Sequence, residues 1–421
     1  MAESVLAVVA DLLIDGTGRD PVEGAVVVVE DGRISAAGPR SAVTIPHGAR
    51  VIEGERWTVM PGVIDCHVHL AGSSGIDFER MLMERRTFQL LHAVPNCLAT
   101  LRAGVTTVRD AGLTPASVRD AVAAGFFPGP RMEVAVTILG QTGGHADDLM
   151  PCGSRLPMDV GIDVPHGVVD GADQVRQRVR EVMQAGADWI KLCTSGGVLS
   201  SGDMPEHAQM TVEEIAAAVG EAASHGKRVM SHAMSAAGVR NAVEAGVASI
   251  EHGCLLDEEA VELMVARGAW LVPTLVAPED VVAGPESGRS IPIEMVRKAE
   301  RVIVHHRESF RMAVEKGVRV AMGTDAAVGP HGANLRELAR MATYGMTPLQ
   351  AITAATGGSA ALLQREQEIG GLQPGMRADL LCIAGDPVSD ISLFEEPGNV
   401  RLVLKDGIPV RDESGTAVPV A

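Results

Sequence analysis

Aromatic residues are nearly absent from this chain. They make up 2% of its 421 residues, and Tyr344 is its single tyrosine. Aromatic side chains bury large areas in most cores. The core is therefore expected to consist of Val, Leu, Ile, Ala and Met, and a binding pocket to be shaped by aliphatic side chains and loops.

Three further absences limit the class of protein. No run of about 18 apolar residues occurs, so no membrane span is predicted. The N-terminal residues contain no basic stretch before an apolar one, so no signal peptide is predicted. The cysteines include no Cys-x-x-Cys pair: Cys66, Cys97, Cys152, Cys193, Cys254 and Cys382. In a chain of this length they do not indicate a disulfide framework, and a cytoplasmic location is expected.

Basic residues are outnumbered by acidic ones. Lys and Arg number 36 against 54 Asp and Glu, which gives a net charge of −18. So acidic a surface repels phosphate backbones, which argues against nucleic acid as a partner. A hydrophobic content of 46% with 21% charged residues is typical of a globular protein. The length fits two or three domains, or one large α/β barrel with an appendage.

Both ends of the chain are predicted to form short strands joined by tight turns. Asp31-Gly32 and Asp406-Gly407 lie between apolar runs and are hairpin signals, because Asp-Gly accommodates positive φ angles. Chain termini often lie close together. We therefore predict a small β-sandwich domain formed by both chain ends, residues 1–58 plus 370–421.

The middle of the chain, residues 59–369, alternates helical runs with short apolar runs. Seven glycines separate a helical run from the apolar run that follows: Gly104, Gly125, Gly186, Gly226, Gly246, Gly268 and Gly317. Gly is expected just past a helix end, because the left-handed conformation carries no Cβ penalty there. With an opening strand at 59–64, the eight strands predict a (β/α)₈ TIM barrel. The alternative is an open doubly wound sheet, which the lack of a Gly-x-Gly-x-x-Gly loop after the first strand weakens.

Polar residues stand where predicted barrel strands end. His67 and His69 close the first strand two residues apart, so both imidazoles point to one face. Later strands end on a lysine, two histidines and an aspartate: Lys191, His232, His252 and Asp325. In a barrel such ends meet at one mouth. Any one histidine is more often a packed core residue, but together they predict a metal site.

Lys191 needs a separate explanation, because an ammonium group repels a metal ion. Between two cations its pKa falls, and the neutral amine can add carbon dioxide to give a carbamate whose two oxygens bridge two ions. The alternative is a salt bridge to a nearby acid such as Asp203. The carbamate is favoured, since four histidines and one aspartate already supply ligands for two metal ions.

As a set, these motifs resemble the amidohydrolase superfamily, within its prolidase-like, imidazolonepropionase-related branch. The similar segments span nearly the whole chain: 61–69, 190–191, 231–233, 249–253, 323–326, 371–372, 374–375 and 378–380. The resemblance implies two divalent metal ions, usually Zn²⁺, bridged by carboxylated Lys191. The other implied ligands form one set for each ion: His67, His69 and Asp325, then His232 and His252.

The implied chemistry is hydrolysis of an amide C–N bond. Paired metal ions share a hydroxide and polarise a carbonyl, and Asp325 would move the proton from that hydroxide to the leaving amine. The substrate would be a small-molecule amide: an N-acyl amino acid, a dipeptide such as Xaa-Pro or Xaa-Arg, or an amide-bearing xenobiotic. Members of this family are often homo-oligomers, frequently octamers, so a homo-oligomer is expected.

Alternative functions keep the fold and change the reaction. A carbamate- or urea-type hydrolase would use the same metals. A cyclic-amide hydrolase of the imidazolonepropionase kind, or an aminohydrolase (deaminase), usually uses one ion, so Lys191 argues against it. A non-enzymatic scaffold of this fold typically lacks ligands, and none is missing here.

Loop residues are expected to select the substrate. Relatives that cleave dipeptides often carry a tyrosine two residues after the strand-five histidine, where this chain has Met234, which donates no hydrogen bond. His145 and His331 are the candidate substrate contacts. Residues 194–203 are rich in Gly and Ser and are expected to form a lid or rim. His306 lies in a predicted helix and is expected at the surface.

Overall fold

A computed structural model describes residues 5–150, 152–156 and 164–414. In chain order its strands are β1 Leu6–Leu13, β2 Val22–Glu30, β3 Arg33–Pro39, β4 Arg50–Glu53, β5 Trp57–Pro61, β6 Val63–Val68, β7 Val105–Asp110, β8 Arg131–Val134, β9 Ile138–Leu139, β10 Trp189–Cys193, β11 Arg228–Ser235, β12 Ser249–Leu255, β13 Trp270–Val272, β14 Arg319–Val320, β15 Leu380–Ala384, β16 Val400–Lys405 and β17 Ile408–Asp412.

Helices lie mostly between the strands of the middle region. They are α1 Phe78–Met83, α2 Arg86–Leu91, α3 Ala93–Arg102, α4 Ala116–Ala123, α5 Ala172–Gln184, α6 Val212–Ser224, α7 Ala236–Glu244, α8 Glu258–Arg267, α9 Val276–Ala283, α10 Ile293–Glu315, α11 Arg336–Thr343, α12 Pro348–Thr353 and α13 Ser359–Leu362. Short 3₁₀ turns occur at Pro285–Ser287, Ile391–Glu395 and Pro397–Asn399, and a π-helical turn at Ala354–Gly358. Of the described helices, none is long and apolar enough to cross a membrane.

The described residues divide into two compact units. The first contains those within Met1–Asp65, Leu98–Thr107 and Gly332–Ala421. The second contains those within Cys66–Cys97 and Val108–His331.

Strands from both chain ends form one mixed, eight-stranded sheet in the first unit. Its order is β17-β16-β15-β5-β1-β2-β3, and β4 pairs with β1. Strand β1 runs parallel to β4 and β5, whereas the other neighbours are antiparallel. The predicted association of the two chain ends is confirmed, because β15 pairs with β5 along its whole length.

Both predicted Asp-Gly hairpins are present in this sheet. Asp31 and Gly32 connect β2 to β3 with φ angles of 48° and 73°. Asp406 and Gly407 connect β16 to β17 with φ angles of 50° and 75°. Two consecutive positive φ angles match the twist of the flanking strands, so these turns set the register of both hairpins.

The core of the first unit lies on both faces of β1 and β2. Val8 and Val27 belong to one apolar cluster, and Val9 and Val26 belong to another. Successive side chains of a strand point to opposite faces, so valine-rich strands of this kind are covered on both sides. Apart from Trp57 and Cys382, the residues of these two clusters are aliphatic, as the composition predicts.

The second unit contains a parallel sheet whose order follows the chain. Strands β9 to β14 are neighbours in sequence order, and each adjacent pair is parallel. All seven glycines expected just past helix ends have positive φ angles, between 64° and 102°. The predicted alternation of helices ending in Gly with short strands is therefore confirmed.

Hydrogen bonds also link this sheet to the three-stranded sheet β6-β7-β8. Cys66 N donates to Met322 O at 2.8 Å, and Asp188 N donates to Val134 O at 2.7 Å. The third apolar run divides into β8 and β9 because Val136 between them has a φ of 64°. These hydrogen bonds join β6 to the segment after β14, and β8 to the segment before β10.

The extent predicted for the opening strand, 59–64, is wrong. The chain changes sheets at Gly62, so that β5 belongs to the mixed sheet and β6 to the parallel strands. A Cβ atom on Gly62 would lie 2.2 Å from Thr106 Oγ1. The close approach of two strands therefore requires glycine at this junction.

Candidate metal centre

The predicted ligands all lie within or shortly after strands of the second unit. They lie in β6 and directly after it, in β10, β11 and β12, and in the segment after β14: His67, His69, Lys191, His232, His252 and Asp325. Parallel strands that end at one edge bring these distant positions together. Every one of these side chains is largely buried.

Three of these residues form a compact set of ligand atoms. His69 Nε2 lies 3.1 Å from Asp325 Oδ1, and His67 Nε2 lies 3.6 Å from the same oxygen. One ligand atom from each of the three lies within 4.8 Å of the others, a spacing that one metal ion can fill. Two imidazoles and a carboxylate are a donor set that zinc uses.

The remaining two histidines lie beside this set. The ring centroids of His67 and His252 are 5.0 Å apart, and those of His232 and His252 are 4.6 Å apart. Such close tilted and edge-to-face packing of four imidazoles is electrostatically unfavourable when they are protonated. The arrangement suits neutral rings that share metal ions.

Each histidine of the cluster uses one ring nitrogen to bond to the protein. His69 Nδ1 lies 2.9 Å from Gly112 O, and His232 Nε2 lies 3.1 Å from Gly196 O. A carbonyl only accepts, so these nitrogens carry a proton, and the opposite nitrogens face the cluster. His252 Nδ1 is hydrogen-bonded to the Thr274 hydroxyl at 2.7 Å, a group that can either donate or accept. These contacts orient the rings as metal ligands are oriented.

His67 is held by a buried charged pair. Its Nδ1 donates to Glu251 Oε2 at 2.7 Å, and Arg109 donates to Glu251 Oε1 at 2.8 Å. Glu251 and Arg109 both have 0% exposed surface. Ser249 Oγ donates to the same Glu251 oxygen at 2.5 Å. A negative partner on Nδ1 increases the basicity of Nε2, the nitrogen that faces Lys191 and Asp325.

The backbone is strained at the same strand ends. His252, Thr274 and Asp325 have φ angles of 72°, 53° and 58°. Left-handed conformations of non-glycine residues cost about 1–3 kcal/mol each and cluster at functional sites. Here two of them belong to candidate ligands and the third to the hydroxyl that orients one of those ligands.

Burial and charge set the protonation of the cluster. Burial lowers the pKa of His67, His232 and His252 well below the ordinary value, which favours the neutral, metal-binding imidazole. Burial lowers the pKa of His69, but its hydrogen bond to Asp325 and the negative charges of Asp325 and Asp110 together outweigh burial, and the net shift is upward. Burial raises the pKa of Asp325, yet that hydrogen bond and nearby positive charges hold it well below its usual range.

Lys191 lies inside the cluster without an ion pair among the described residues. Its Nζ is 3.3 Å from His67 Nε2. Burial lowers the pKa of its ammonium group. The alternative of a salt bridge to Asp203 is wrong, because Asp203 pairs with Lys298 at 3.4 Å.

A cavity of about 220 Å³ opens onto the cluster. Its wall combines aliphatic side chains with polar and charged ones: Leu113, Val136, Ile138, Leu156, Leu199 and Val328 lie among Arg80, Glu84, His92, Asp147, Asp148 and His166. Residues 194–203 are mostly buried, and Leu199, Ser200 and Ser201 line the cavity. This loop is therefore a wall of the site.

The structure separates the two candidate substrate contacts. His145 lines the cavity, and its ring stacks on that of His232 with centroids 4.2 Å apart. His331 is buried and does not belong to the lining of this cavity; its backbone N–H donates to Ser74 Oγ at 3.0 Å. Met234 is also absent from the lining and packs in an apolar cluster with Val198.

One expectation about the histidines is wrong. His306 has 1% exposed surface, and its Nε2 lies 3.1 Å from His252 O. It therefore supports the strained end of β12 from helix α10. Its helical position was visible in the sequence, but the face of the helix that packs inward was not.

Residue-by-residue reasoning missed the Glu251–Arg109 pair as a support of the site. The available signal was the presence of charged residues within two short strands, β7 and β12. Charged side chains in such strands are almost never buried unless paired. The identity of each partner depended on the register of strands that are far apart in the chain.

Comparison with known proteins gives consistent results along the whole chain. A family model described as the amidohydrolase family matches residues 58–410. Ochratoxinase of Aspergillus niger is 32% identical over 418 residues, which cover 96% of this chain and 86% of that protein.

Solved structures extend the similarity to the fold. A Xaa-Pro dipeptidase with methionine bound in its active site is 35% identical with a TM-score of 0.86, covering 96% of this chain and 99% of that one. A prolidase complexed with N-methylphosphonate-L-proline is 34% identical with a TM-score of 0.88, covering 97% of this chain and 100% of that one. The chain thus belongs to the amidohydrolase family and is a hydrolase that acts on C–N bonds.

Proposed function

We propose that this hydrolase cleaves the amide bond of an N-acyl amino acid, a dipeptide such as Xaa-Pro or Xaa-Arg, or an amide-bearing xenobiotic. The observation that carries the proposal is the largely buried Asp325 carboxylate, 3.1 Å from His69 Nε2 and 3.6 Å from His67 Nε2, at a cavity sized for a small molecule. The similar proteins that are named ochratoxinase, Xaa-Pro dipeptidase and prolidase support this substrate range.

The cluster is proposed to hold two divalent ions, which its nitrogen and oxygen donors suit best to zinc. His67, His69 and Asp325 would hold one ion, and His232 and His252 would hold the other. When bound, the ions would polarise the substrate carbonyl and lower the pKa of water. Support comes from the ring nitrogens, since the protein already uses one nitrogen of each imidazole and leaves the other for a metal.

Lys191 is proposed to join the two ligand sets as a carbamate. Its neutral amine nitrogen would bond to the carbon of carbon dioxide and release one proton. The product carries a negative charge and two oxygen donors, whereas an ammonium group would repel cations. Lys191 Nζ lies 3.3 Å from His67 Nε2. The described residues offer it no carboxylate within salt-bridge distance, and this favours the carbamate over the ammonium form.

Asp325 is the proposed proton carrier. As water adds to the carbonyl carbon, a carboxylate oxygen of Asp325 would accept its proton. The same oxygen would then donate that proton to the nitrogen while the C–N bond breaks, which yields a carboxylic acid and an amine. The lowered pKa of Asp325 keeps the carboxylate ionised and ready to accept.

His145 is the proposed substrate contact. The side chain of Met234, which occupies the position of a tyrosine in related peptidases, packs in an apolar cluster. His145 instead places a polar group in the cavity, directly against His232. With Met234 outside the cavity and His145 in it, the substrate-binding groups of this protein would be arranged differently from those of the related peptidases.

The parallel strands are proposed to close into the predicted (β/α)₈ barrel. The hydrogen bonds from Cys66 to Met322 and from Asp188 to Val134 support closure. The barrel would comprise residues 59–369, and the small β-sandwich domain residues 1–58 plus 370–421, with the end of β5 extending the sheet of the small domain to Pro61. A cytoplasmic homo-oligomer stays a prediction.

A hydrolysis screen tests the proposed function. The zinc-loaded protein is assayed against N-acyl amino acids, Xaa-Pro and Xaa-Arg dipeptides, aryl amides and aryl carbamates, with release of the amine as the readout. Turnover of acylated amino acids or dipeptides is expected. Turnover of only a carbamate, a cyclic imide or an aminopurine would contradict the proposal and favour one of the alternatives.

A further inference from the structure

A buried lysine holds the cavity wall formed by residues 194–203. Lys298 lies on α10 with 2% of its surface exposed. Its Nζ donates to the backbone carbonyls of Ser200 at 2.8 Å and Asp203 at 2.7 Å, and to Gly197 O at 3.3 Å. One ammonium group therefore fixes three points of a Gly- and Ser-rich loop.

Asp203 accepts hydrogen bonds on both of its carboxylate oxygens. Gly197 N and Gln209 Nε2 donate to Oδ2 at 3.2 Å and 3.1 Å. Ser200 Oγ donates to Oδ1, which also lies 3.4 Å from Lys298 Nζ. Since N–H groups and an ammonium surround the carboxylate, it has the acceptor role and the hydroxyl proton of Ser200 points to it.

The hydrogen bond between Ser200 and His145 therefore has a defined direction. Ser200 Oγ has one proton, which Asp203 receives, so the oxygen must accept from His145 Nδ1 at 2.7 Å. The proton of the ring then sits on Nδ1. Nε2 has no hydrogen-bond partner in the described part of the chain, and His145 lines the cavity.

The plane of the His145 ring is fixed as well. A Cβ atom on Gly197 would lie 2.2 Å from His145 Cε1, so one face of the ring rests on a residue that has to be glycine. The other face stacks on His232 at an interplanar angle of 23°. The backbone N–H of His145 is bonded to Gln209 Oε1 at 2.9 Å, and Gln209 is also bonded to Asp203.

We propose that Ser200, Asp203 and Lys298 are positioning residues that direct Nε2 of His145 toward the substrate. The proposal rests on the proposed function, in which His145 contacts the substrate. A buried Lys–Asp pair contributes little net stability compared with apolar residues of the same size. Its specific effect here is to give the imidazole one orientation and to place the ring proton on Nδ1, which leaves Nε2 to face the cavity.

A double-mutant cycle tests whether Ser200 acts through His145. Ser200→Ala is expected to lower kcat/KM on the order of tenfold, through loss of one orienting hydrogen bond. In a His145→Ala background the same change should have no further effect. Ser224→Ala, at the exposed end of α6, is the control and should retain native kinetics. An equal loss in both backgrounds, or no loss in either, would overturn the proposal.

A second measurement separates this proposal from the proposed function. Protein labelled with ¹⁵N-histidine is compared by NMR in the native form, in His145→Ala and in Ser200→Ala. The native spectrum should contain a protonated Nδ1 signal that is absent from His145→Ala and is shifted or lost in Ser200→Ala. If the native protein hydrolyses no amide, the proposed function fails while this readout still applies. An Nδ1 signal unchanged in Ser200→Ala would refute the positioning role.

Discussion

The side chains that hydrogen-bond the candidate metal ligands differ in charge. Glu251 holds His67 with a full negative charge that Arg109 balances, in a fully buried setting. Thr274 holds His252 with a neutral hydroxyl. Removing Glu251 would leave a buried arginine without its partner, which typically costs about 3–5 kcal/mol. Thr274 is therefore the position where orientation of a ligand can be altered without loss of the fold.

Replacement of Thr274 by Val should weaken the second metal site selectively. The change removes the hydroxyl that bonds His252 Nδ1 and keeps the shape of the side chain. Loss of such a support typically lowers metal affinity about 10- to 100-fold, so the variant should retain about one ion fewer than the native protein after dialysis against a weak chelator. Elemental analysis provides the measurement, with Thr343→Val on α11 as the control. Native metal retention in Thr274→Val would contradict the assigned role.

Carboxylation of Lys191 can be observed without measuring activity. Native protein loaded with zinc in ¹³C-bicarbonate should give a carbamate carbon signal by NMR, because the buried amine lies among metal ligands. Lys191→Ala should lose this signal, most of its bound metal and most of its hydrolytic activity. The partly exposed ammonium of Lys227, which pairs with Asp188 at 3.6 Å, offers a control, since Lys227→Ala should keep all three. No carbamate signal in the active, metal-loaded native protein would exclude the bridging role.

Among the structural elements, the segment after β10 has the largest influence on the cavity. It supplies Gly196 O to His232, a flat surface for His145 at Gly197, and the hydroxyl of Ser200. The sequence indicates a Gly- and Ser-rich loop near the site. The ammonium of Lys298 that makes this loop a wall comes from a helix almost one hundred residues later, and sequence proximity carries no information about it.

Two glycine substitutions should have opposite effects. In Gly197→Ala the new Cβ would lie 2.2 Å from His145 Cε1, so the ring must move and kcat/KM should fall by at least about tenfold. Gly220 lies exposed on α6, and a Cβ atom added there would have no other atom within 4 Å. Gly220→Ala should therefore stabilise the protein by about 0.5–1 kcal/mol at native activity. Denaturant unfolding and turnover are measured for both. Native kinetics in Gly197→Ala would show that His145 is not held by this contact.

At the scale of the whole molecule, hydrophobic pattern and glycine position predicted the order of the strands. Those signals are local, since a helix end and an apolar run can each be recognised within about ten residues. Because strand ends carry the reactive groups in this fold, the candidate ligands also followed from the chain alone. Three features could not be predicted from the sequence, because each depends on packing between distant segments: the break at Val136, the burial of His306 and the pairing of Arg109 with Glu251.

Metal binding should be linked to the stability of the second unit, because the candidate ligands come from segments spread from His67 to Asp325. An ion that binds only the folded form stabilises it by about 2.7 kcal/mol at a hundredfold excess over Kd. Thermal unfolding of chelator-treated protein should therefore shift to higher temperature when zinc is added. His69→Asn should reduce the shift, because it removes one nitrogen donor from the set with Asp325. Magnesium at the same concentration should produce little shift, since it prefers oxygen ligands. Equal zinc shifts in native and His69→Asn protein would place the stabilising ion outside the His67, His69 and Asp325 set.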